Sequence, residues 1–306
     1  MPFRAGPARP PRLSVLVTGG AGEIGSRLTR RLVEAGHAVR VLVLPDDPRA
    51  PLLDGIDCAR VVGDVTRPDT LEPALSGVHT VYHLAAVLLV EDERLFQRVN
   101  VEGTRNMVAA ARRAGVEHFI HVSSASVVYP RSTPYSRSKR EGEAIVQASG
   151  LRHTVVRPTL VYERGGGLEF KTFAEFVARW PVVPLLGDGR ARKAPVHADD
   201  LVEGLTALCD NPRVYGKLYN LSGGEVVTVR ELAELVLEHR GLRRPLLPVP
   251  VPLCRLAAAV VGRVTRRPML MGHTLAGLTQ DADLDPREAM RDLEYNPVGI
   301  RRGIYR

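Results

Sequence analysis

The sequence predicts an α/β fold: a doubly wound parallel sheet followed by a small, mainly helical C-terminal lobe. Three observations carry this. Short β-branched runs alternate with longer amphipathic stretches from Ser14 to Tyr162, the pattern of strands joined by helical crossovers. A glycine-rich turn joins the first run to the first amphipathic stretch, and beyond Tyr162 the alternation gives way to segments richer in Gly, Pro and charge. The expected boundaries are a disordered tail over 1–12, a nucleotide-binding domain over 13–162, and a substrate-binding lobe over 163–306 with segments that return to the sheet.

In order, SVLVTGG reads as a strand, EIGSRLTRRLVEAG as a helix and AVRVLVL as a strand. ARVVGD, TVYHLAA, HFIHVSS and HTVVRPTLVY continue the strands. Between them lie helices around TLEPALSG, VEGTRNMVAAARRAG and PYSRSKREGEAIVQASG. Such alternation implies right-handed crossovers. Past Tyr162, DLVEGLTALCDN and VTVRELAELVLEHRG read as helices flanking LYNLSGG.

The bulk numbers exclude more than they assign. With 306 residues and 44% hydrophobic content the chain can bury a substantial core. The formal net charge of +8 is scattered among acidic residues with no interleaved aromatics, so no nucleic-acid partner is expected. Three distant cysteines, Cys58, Cys209 and Cys254, show no metal-ligand spacing and favour a reducing, cytoplasmic setting. The basic, proline-rich start leads into no apolar run of a signal peptide. No apolar stretch reaches the roughly 18 residues of a membrane span; VPVPLCRLAAAVVGRV, the nearest candidate, is cut by prolines and by Arg255 and reads as a lobe or interface helix.

The turn VTGGAGEIG places Gly19, Gly22 and Gly25 in a GxxGxxG array between strand and helix. Tight turning, close approach of backbone to a pyrophosphate and a helix N-terminus facing phosphate charge are what a Rossmann-type dinucleotide site needs. Glu23 and Ile24 lie in the same turn, with the Glu23 carboxylate expected to point away from phosphate. The second strand ends VLVLPDDPR, with Leu44 where a ribose-binding acid is usual. Asp46 and Asp47 just beyond tilt the cofactor towards NAD, with NADP left open.

Seven pieces in sequence, VTGGAGEIG, GDV, HLAA, NVEGT, SSASVVY, YSRSK and RPTLVY, resemble the extended short-chain dehydrogenase/reductases of the NAD-dependent epimerase/dehydratase superfamily. The resemblance implies that Asp64 and Val65 meet the adenine, that Leu84, Ala85 and Ala86 line the cofactor, that Asn100 sits beneath the active site and that Pro158 borders the nicotinamide. Asp64 as a turn cap and Asn100 as a helix cap are the plainer alternatives. The resemblance also implies a homodimer packed through the helices around VEGTRNM and PYSRSK.

Hydride chemistry at a C–OH or C=O needs a proton donor and acceptor. Tyr135 and Lys139 are four apart on a helix that Pro134 would start, with Thr133 or Ser132 as cap, so they share a face. A nearby cation stabilises a phenolate, making Tyr135 the candidate acid/base and Lys139 its tuning and ribose-binding partner. The polarising serine of the sugar-epimerase pattern falls on Ala125; the dihydroflavonol-reductase-like pattern places it at Ser124, with Ser126 as substitute. Leu160 stands where nucleotide-sugar enzymes commonly carry asparagine. Arg192 and Lys193, in GDGRARKAPVHADD, resemble an anion-gripping strand, and His197 reads as a helix cap. The small-molecule substrate is thus open between a nucleotide sugar and another alcohol or ketone. The segment RPTLVY and the C-terminal part also resemble the SDR-like accessory subunit of respiratory complex I, which leaves a non-catalytic NAD(P)-binding assembly or regulatory protein as the alternative.

Overall fold

The computed structural model describes residues 13–90, 92–163, 167–250, 252–253 and 277–306. The expected tail and most of the apolar stretch from Val249 lie outside them. Strands β1 (Ser14–Thr18), β2 (Ala38–Val43) and β3 (Ala59–Val62) are separated by helix α1 (Glu23–Glu34) and a short connection. Then come α2 (Glu72–Leu75), β4 (Thr80–His83), α3 (Gly103–Arg113), β5 (His118–Val122), α4 (Pro134–Gln147) and β6 (His153–Pro158). A two-residue β7 (Val161–Tyr162) and α5 (Leu168–Arg179) lead into β8 (Val183–Leu186), β9 (Arg192–Lys193) and β10 (Val196–His197). The described chain ends with α6 (Ala198–Thr206), β11 (Leu218–Leu221), β12 (Val227–Thr228), α7 (Val229–His239), β13 (Leu246–Val249), α8 (Arg287–Leu293) and α9 (Ile300–Gly303).

Seven strands form the central sheet in the order β11-β6-β5-β4-β1-β2-β3, and every neighbouring pair is parallel. Parallel strands covered on both faces are apolar throughout; β1 accordingly buries Val15, Leu16 and Val17 completely. Leu28 and Leu32 of α1 pack beside Val15 and Val17 on one face, whereas Leu16 joins Met107 and Ala111 of α3 on the other. The strand order reverses between β1 and β4, so the loops after these two strands diverge and open a crevice at their carboxyl ends.

Three local features depart from the plain alternation. The run HTVVRPTLVY is two strands: β6 ends in the main sheet opposite Leu221, while β7 leaves it to pair with β10. The helix containing NVEGT begins with a π-helical turn over Phe96–Glu102, so Asn100 lies inside a helix instead of capping one. The lobe supplements α5 and α7 with two short strand pairs, β8 with β13 and β9 with β12. Its separate core joins Phe170, Phe173 and Val177 of α5 to Leu232, Ala233 and Val236 of α7. In the other direction β11 returns from the lobe to the main sheet. α8 is tied to it through Asp292, which accepts from Lys217 Nζ (2.6 Å) and Tyr219 Oη (2.9 Å).

Among the described residues no helix is long and apolar enough to cross a membrane.

Candidate active site

The glycine turn is built by exclusion of side chains. A Cβ at Gly25 would stand 2.2 Å from Gly19 O and 2.7 Å from Gly20 Cα; one at Gly19 would stand 2.9 Å from Ala85 N. Gly19 also has φ of 70°, a left-handed conformation that favours glycine. The loops after β1 and β4 therefore touch backbone to backbone. Thr18 fastens them, its hydroxyl accepting from Ala85 N–H and pairing with His83 Nδ1 at 2.8 Å. Around Gly22 a Cβ would meet only Gly19 O, at 3.2 Å, and the N-terminus of α1 faces the same space. Such a cradle fits a dinucleotide pyrophosphate.

Glu23 is exposed, and its carboxylate accepts from Gly167 N–H of the lobe (2.9 Å); only its backbone belongs to the turn. Ile24 is half-buried against the core. Arg27, one turn on, pairs with Glu163 and, at 3.0 Å, with Asp199. At the end of β2, Asp47 is bound up with Arg49, whose N–H it accepts at 3.0 Å, while Asp46 stands exposed at φ 52°. Asp64 caps a turn by accepting from Thr66 N–H (2.8 Å), and Val65 is buried against Gly103. Leu84 and Ala85 are half-buried and Ala86 is exposed.

Helix α4 starts where its sequence requires. Thr133 caps it through a reciprocal box with Ser136, and Pro134 occupies the first turn. Tyr135 thereby enters a cavity also lined by Ser124, Ala125, Ser126 and Pro158. Ser124 Oγ accepts from Ser126 N–H at 3.1 Å and lies 3.0 Å from Ser126 Oγ, so the two candidate serines form one hydroxyl pair. Burial pushes the Tyr135 phenol well above its ordinary range and the negative charge of Glu169 adds to this; a hydrogen bond with Ser124 pulls the other way. The phenol is therefore held protonated.

Lys139 is buried, and its ammonium donates to Val122 O at 2.7 Å, tying α4 to the end of the strand that carries the serines. Burial lowers its pKa from 10.5 to about 8, partly offset by Glu143. Asn100 reaches both sides of the site: its Oδ1 accepts from Val87 N–H (2.8 Å), and its Nδ2 donates to Val87 O and to Ser138 Oγ, each at 3.0 Å. Between about pH 8 and 10.5 the unfolded chain holds the Lys139 proton that the folded chain releases, so wild-type stability gains from this group as pH rises. Whatever advantage Lys139→Met has over wild type in cofactor-free urea unfolding is expected to decline across that window, by up to about 1.4 kcal/mol per pH unit. A gap independent of pH would refute the buried ammonium.

Of the remaining cavity wall, the sequence points to Leu160 and Lys193 and to none of the other residues. Leu88, Leu89, Leu160, Phe173 and Leu278 supply an apolar lining, with Glu169, Tyr129 and Thr172 among the polar members. Arg192 is paired with Asp281 (3.4 Å) and Asp283 (3.2 Å). Lys193 lines the cavity, but its ammonium donates to the carbonyls of Gly277 and Gln280 and sits 5.3 Å from the Tyr129 ring centre. The two basic residues expected to grip an anion are thus engaged with the chain's own C-terminal part. His197 caps α6 by accepting from Asp199 N–H.

A family model described as NAD dependent epimerase/dehydratase family matches residues 15–222. A 3 beta-hydroxysteroid dehydrogenase/Delta 5-->4-isomerase of Mycobacterium tuberculosis is 30% identical over 93% of this chain and 86% of its own length. A ceramide reductase of Caulobacter vibrioides is 32% identical over 90% of this chain and 86% of its own. The crystal structure of MoeE5 in complex with UDP-glucose and NAD superposes with a TM-score of 0.74 at 25% identity, covering 95% of this chain and 96% of that one.

Proposed function

The chain belongs to the NAD-dependent epimerase/dehydratase family, and from that premise we propose that it is an NAD-dependent oxidoreductase interconverting an apolar secondary alcohol and its ketone. The observation that carries this reading is the cavity itself: Ser124 and Tyr135 share it with Leu88, Leu89, Leu160, Phe173 and Leu278. The engagement of Arg192 and Lys193 elsewhere leaves a nucleotide diphosphate without its expected grip. Relatives named for a steroid and a ceramide point the same way.

A bound nicotinamide dinucleotide supplies the hydride acceptor and donor. The chain does the rest. Gly19, Gly22 and Gly25 admit the pyrophosphate, Asp46, Asp64 and Val65 serve the adenosine half, and Leu84, Ala85 and Ala86 line the cofactor. Ser124, steadied by Ser126, donates a hydrogen bond to the substrate oxygen. Tyr135 gives its phenolic proton to that oxygen during reduction and recovers it during oxidation. Lys139, buried with its ammonium on Val122 O, takes the nicotinamide ribose, and Asn100 steadies the same helix through Ser138.

The test is NADH formation by the purified protein with NAD and 2-decalol, against UDP-glucose and UDP-glucuronic acid as comparators. Oxidation of the decalol with no conversion of either nucleotide sugar is expected. Epimerisation of a nucleotide sugar at a higher kcat/KM than decalol oxidation would replace this reading with the epimerase one.

A further inference from the structure

The parallel ribbon of β8 and β13 is apolar on both faces, yet among the described residues the lobe core takes only one of them. Val183 and Leu185 are buried in that core, and Leu246 packs against it opposite Val183. Side chains alternate along a strand, so Val182 and Leu247 turn the other way and remain 45% and 56% exposed. Trp180, at the end of α5, and Leu253, beyond β13, add exposures of 44% and 56%. Parallel strands written as unbroken apolar runs, as PVVPLL and PLLPV are, are ordinarily covered on both sides. The charge beside this face is of one sign. Arg179 leads into Trp180 and lies 5.8 Å from its ring centre, while Arg240, Arg243 and Arg244 lead into β13, with Arg244 donating to Trp180 O at 2.8 Å. None of the four forms an ion pair with a carboxylate among the described residues, whereas Arg60 and Arg287 elsewhere on the surface are held by Asp54 and Asp285. From His239 to Gln280 the sequence contains seven arginines and no acidic residue.

We propose that this face of the lobe docks on an anionic lipid bilayer. The exposed aliphatic side chains gain by leaving water, and a tryptophan is suited to the bilayer boundary, where its ring is in apolar surroundings and its N–H stays wet. Arginines without carboxylate partners attract the negative head groups around them. Charge decides between this occupant and a second copy of the chain: a symmetric contact would bring the same arginines face to face, and like charges repel. Docking of this kind lies on the surface and needs no spanning segment. Its place in the fold gives it a use. Helix α5 carries Phe173 in the cavity wall and Trp180 at its end, so the docked face lies about 10 Å along that helix from the cavity. A bilayer held there would keep membrane-dissolved molecules close to the cavity. The inference goes beyond the oxidoreductase reading and does not depend on it.

Trp180 is the chain's only tryptophan, so its fluorescence reports on this face alone. The full-length protein, with NAD, is mixed with vesicles of equal parts phosphatidylglycerol and phosphatidylcholine. The emission is expected to move to shorter wavelength, lipids brominated on their acyl chains are expected to quench it, and added salt is expected to release the protein. Vesicles of phosphatidylcholine alone should bind at least about tenfold more weakly. The paired substitutions Val182→Ser with Leu247→Ser, and Arg240→Gln with Arg243→Gln, keep the tryptophan and alter only exposed side chains. Each pair should weaken binding to the anionic vesicles at least about tenfold while thermal unfolding changes little. Vesicle binding without quenching of Trp180 overturns the proposal, because another face then docks. Equal affinity for neutral vesicles, or no binding at all, overturns it as well. An emission shift that follows protein concentration in the absence of lipid assigns the face to a second copy and overturns it likewise. None of these readouts involves alcohol oxidation, so failure of the oxidoreductase reading leaves this inference standing.

Discussion

Replacing Tyr135 with phenylalanine is expected to lower kcat for the secondary alcohol by about 10²- to 10⁴-fold, the range supplied by a positioned proton donor and acceptor. The ring stays: Tyr135 packs against Phe96 with centroids 5.9 Å apart at 60°, and phenylalanine repeats that contact. The start of α4 rests on the Thr133–Ser136 box and Pro134, none of which involves the phenol. Stability should therefore change little and KM far less than kcat, the signature of an interaction made in the transition state. Since the hydroxyl is held protonated in the folded protein, reduction of the ketone should suffer at least as much as oxidation of the alcohol. A variant that keeps kcat within about threefold would remove Tyr135 from the proton-transfer role.

The second large effect belongs to the glycine turn. Gly25→Ala puts a methyl group 2.2 Å from Gly19 O, with backbone on every near side, so nothing flexible can yield. Overpacking of this kind costs about 1–3 kcal/mol, and here it also displaces the peptide that must approach the pyrophosphate. Loss of NAD affinity by more than about tenfold, equivalent to ~1.4 kcal/mol, should accompany the lower stability. Gly22→Ala separates the two consequences. Its backbone is extended (φ −80°, ψ 171°), and its Cβ would meet only Gly19 O at 3.2 Å, so the fold should tolerate it while binding suffers. Calorimetric titration with NAD together with thermal unfolding of both variants would check this; equal stability losses in the two would show that packing around Gly25 is not the reason for its glycine.

What could be read from the chain and what could not divides along the distance between partners. The glycine turn, the capped start of α4 and the spacing of Tyr135 and Lys139 are local, and periodicity and turn chemistry express them directly. The strand alternation is equally legible because each buried parallel strand is written as a continuous apolar run. Arg192 and Lys193 show the limit. Their basic character is plain, but the groups that engage them, Asp281, Asp283 and the carbonyls of Gly277 and Gln280, lie more than eighty positions further along. The place of Glu169 in the cavity wall is equally hidden, since a glutamate after three glycines reads as an ordinary helix start. The π-helical turn that aims Asn100 at Val87 and Ser138 has no periodicity of its own over seven residues.

The corner between β6 and β7 has a further meaning. Its main chain is held from three directions: Thr159 N–H donates to Leu221 O (3.4 Å), the Thr159 hydroxyl donates to Ala194 O, and Val196 N–H donates to Leu160 O (2.9 Å). The Leu160 side chain, by contrast, contributes to the cavity wall and to the edge of the lobe core. Backbone placement and side-chain identity are thus decoupled at this one position. A lineage carrying this fold can exchange residue 160 and so change which molecules fit, without rebuilding the corner that presents it. Divergence of substrate choice within a common scaffold then needs only single codon changes at such a site, and directed evolution of new specificity would be well served by starting there.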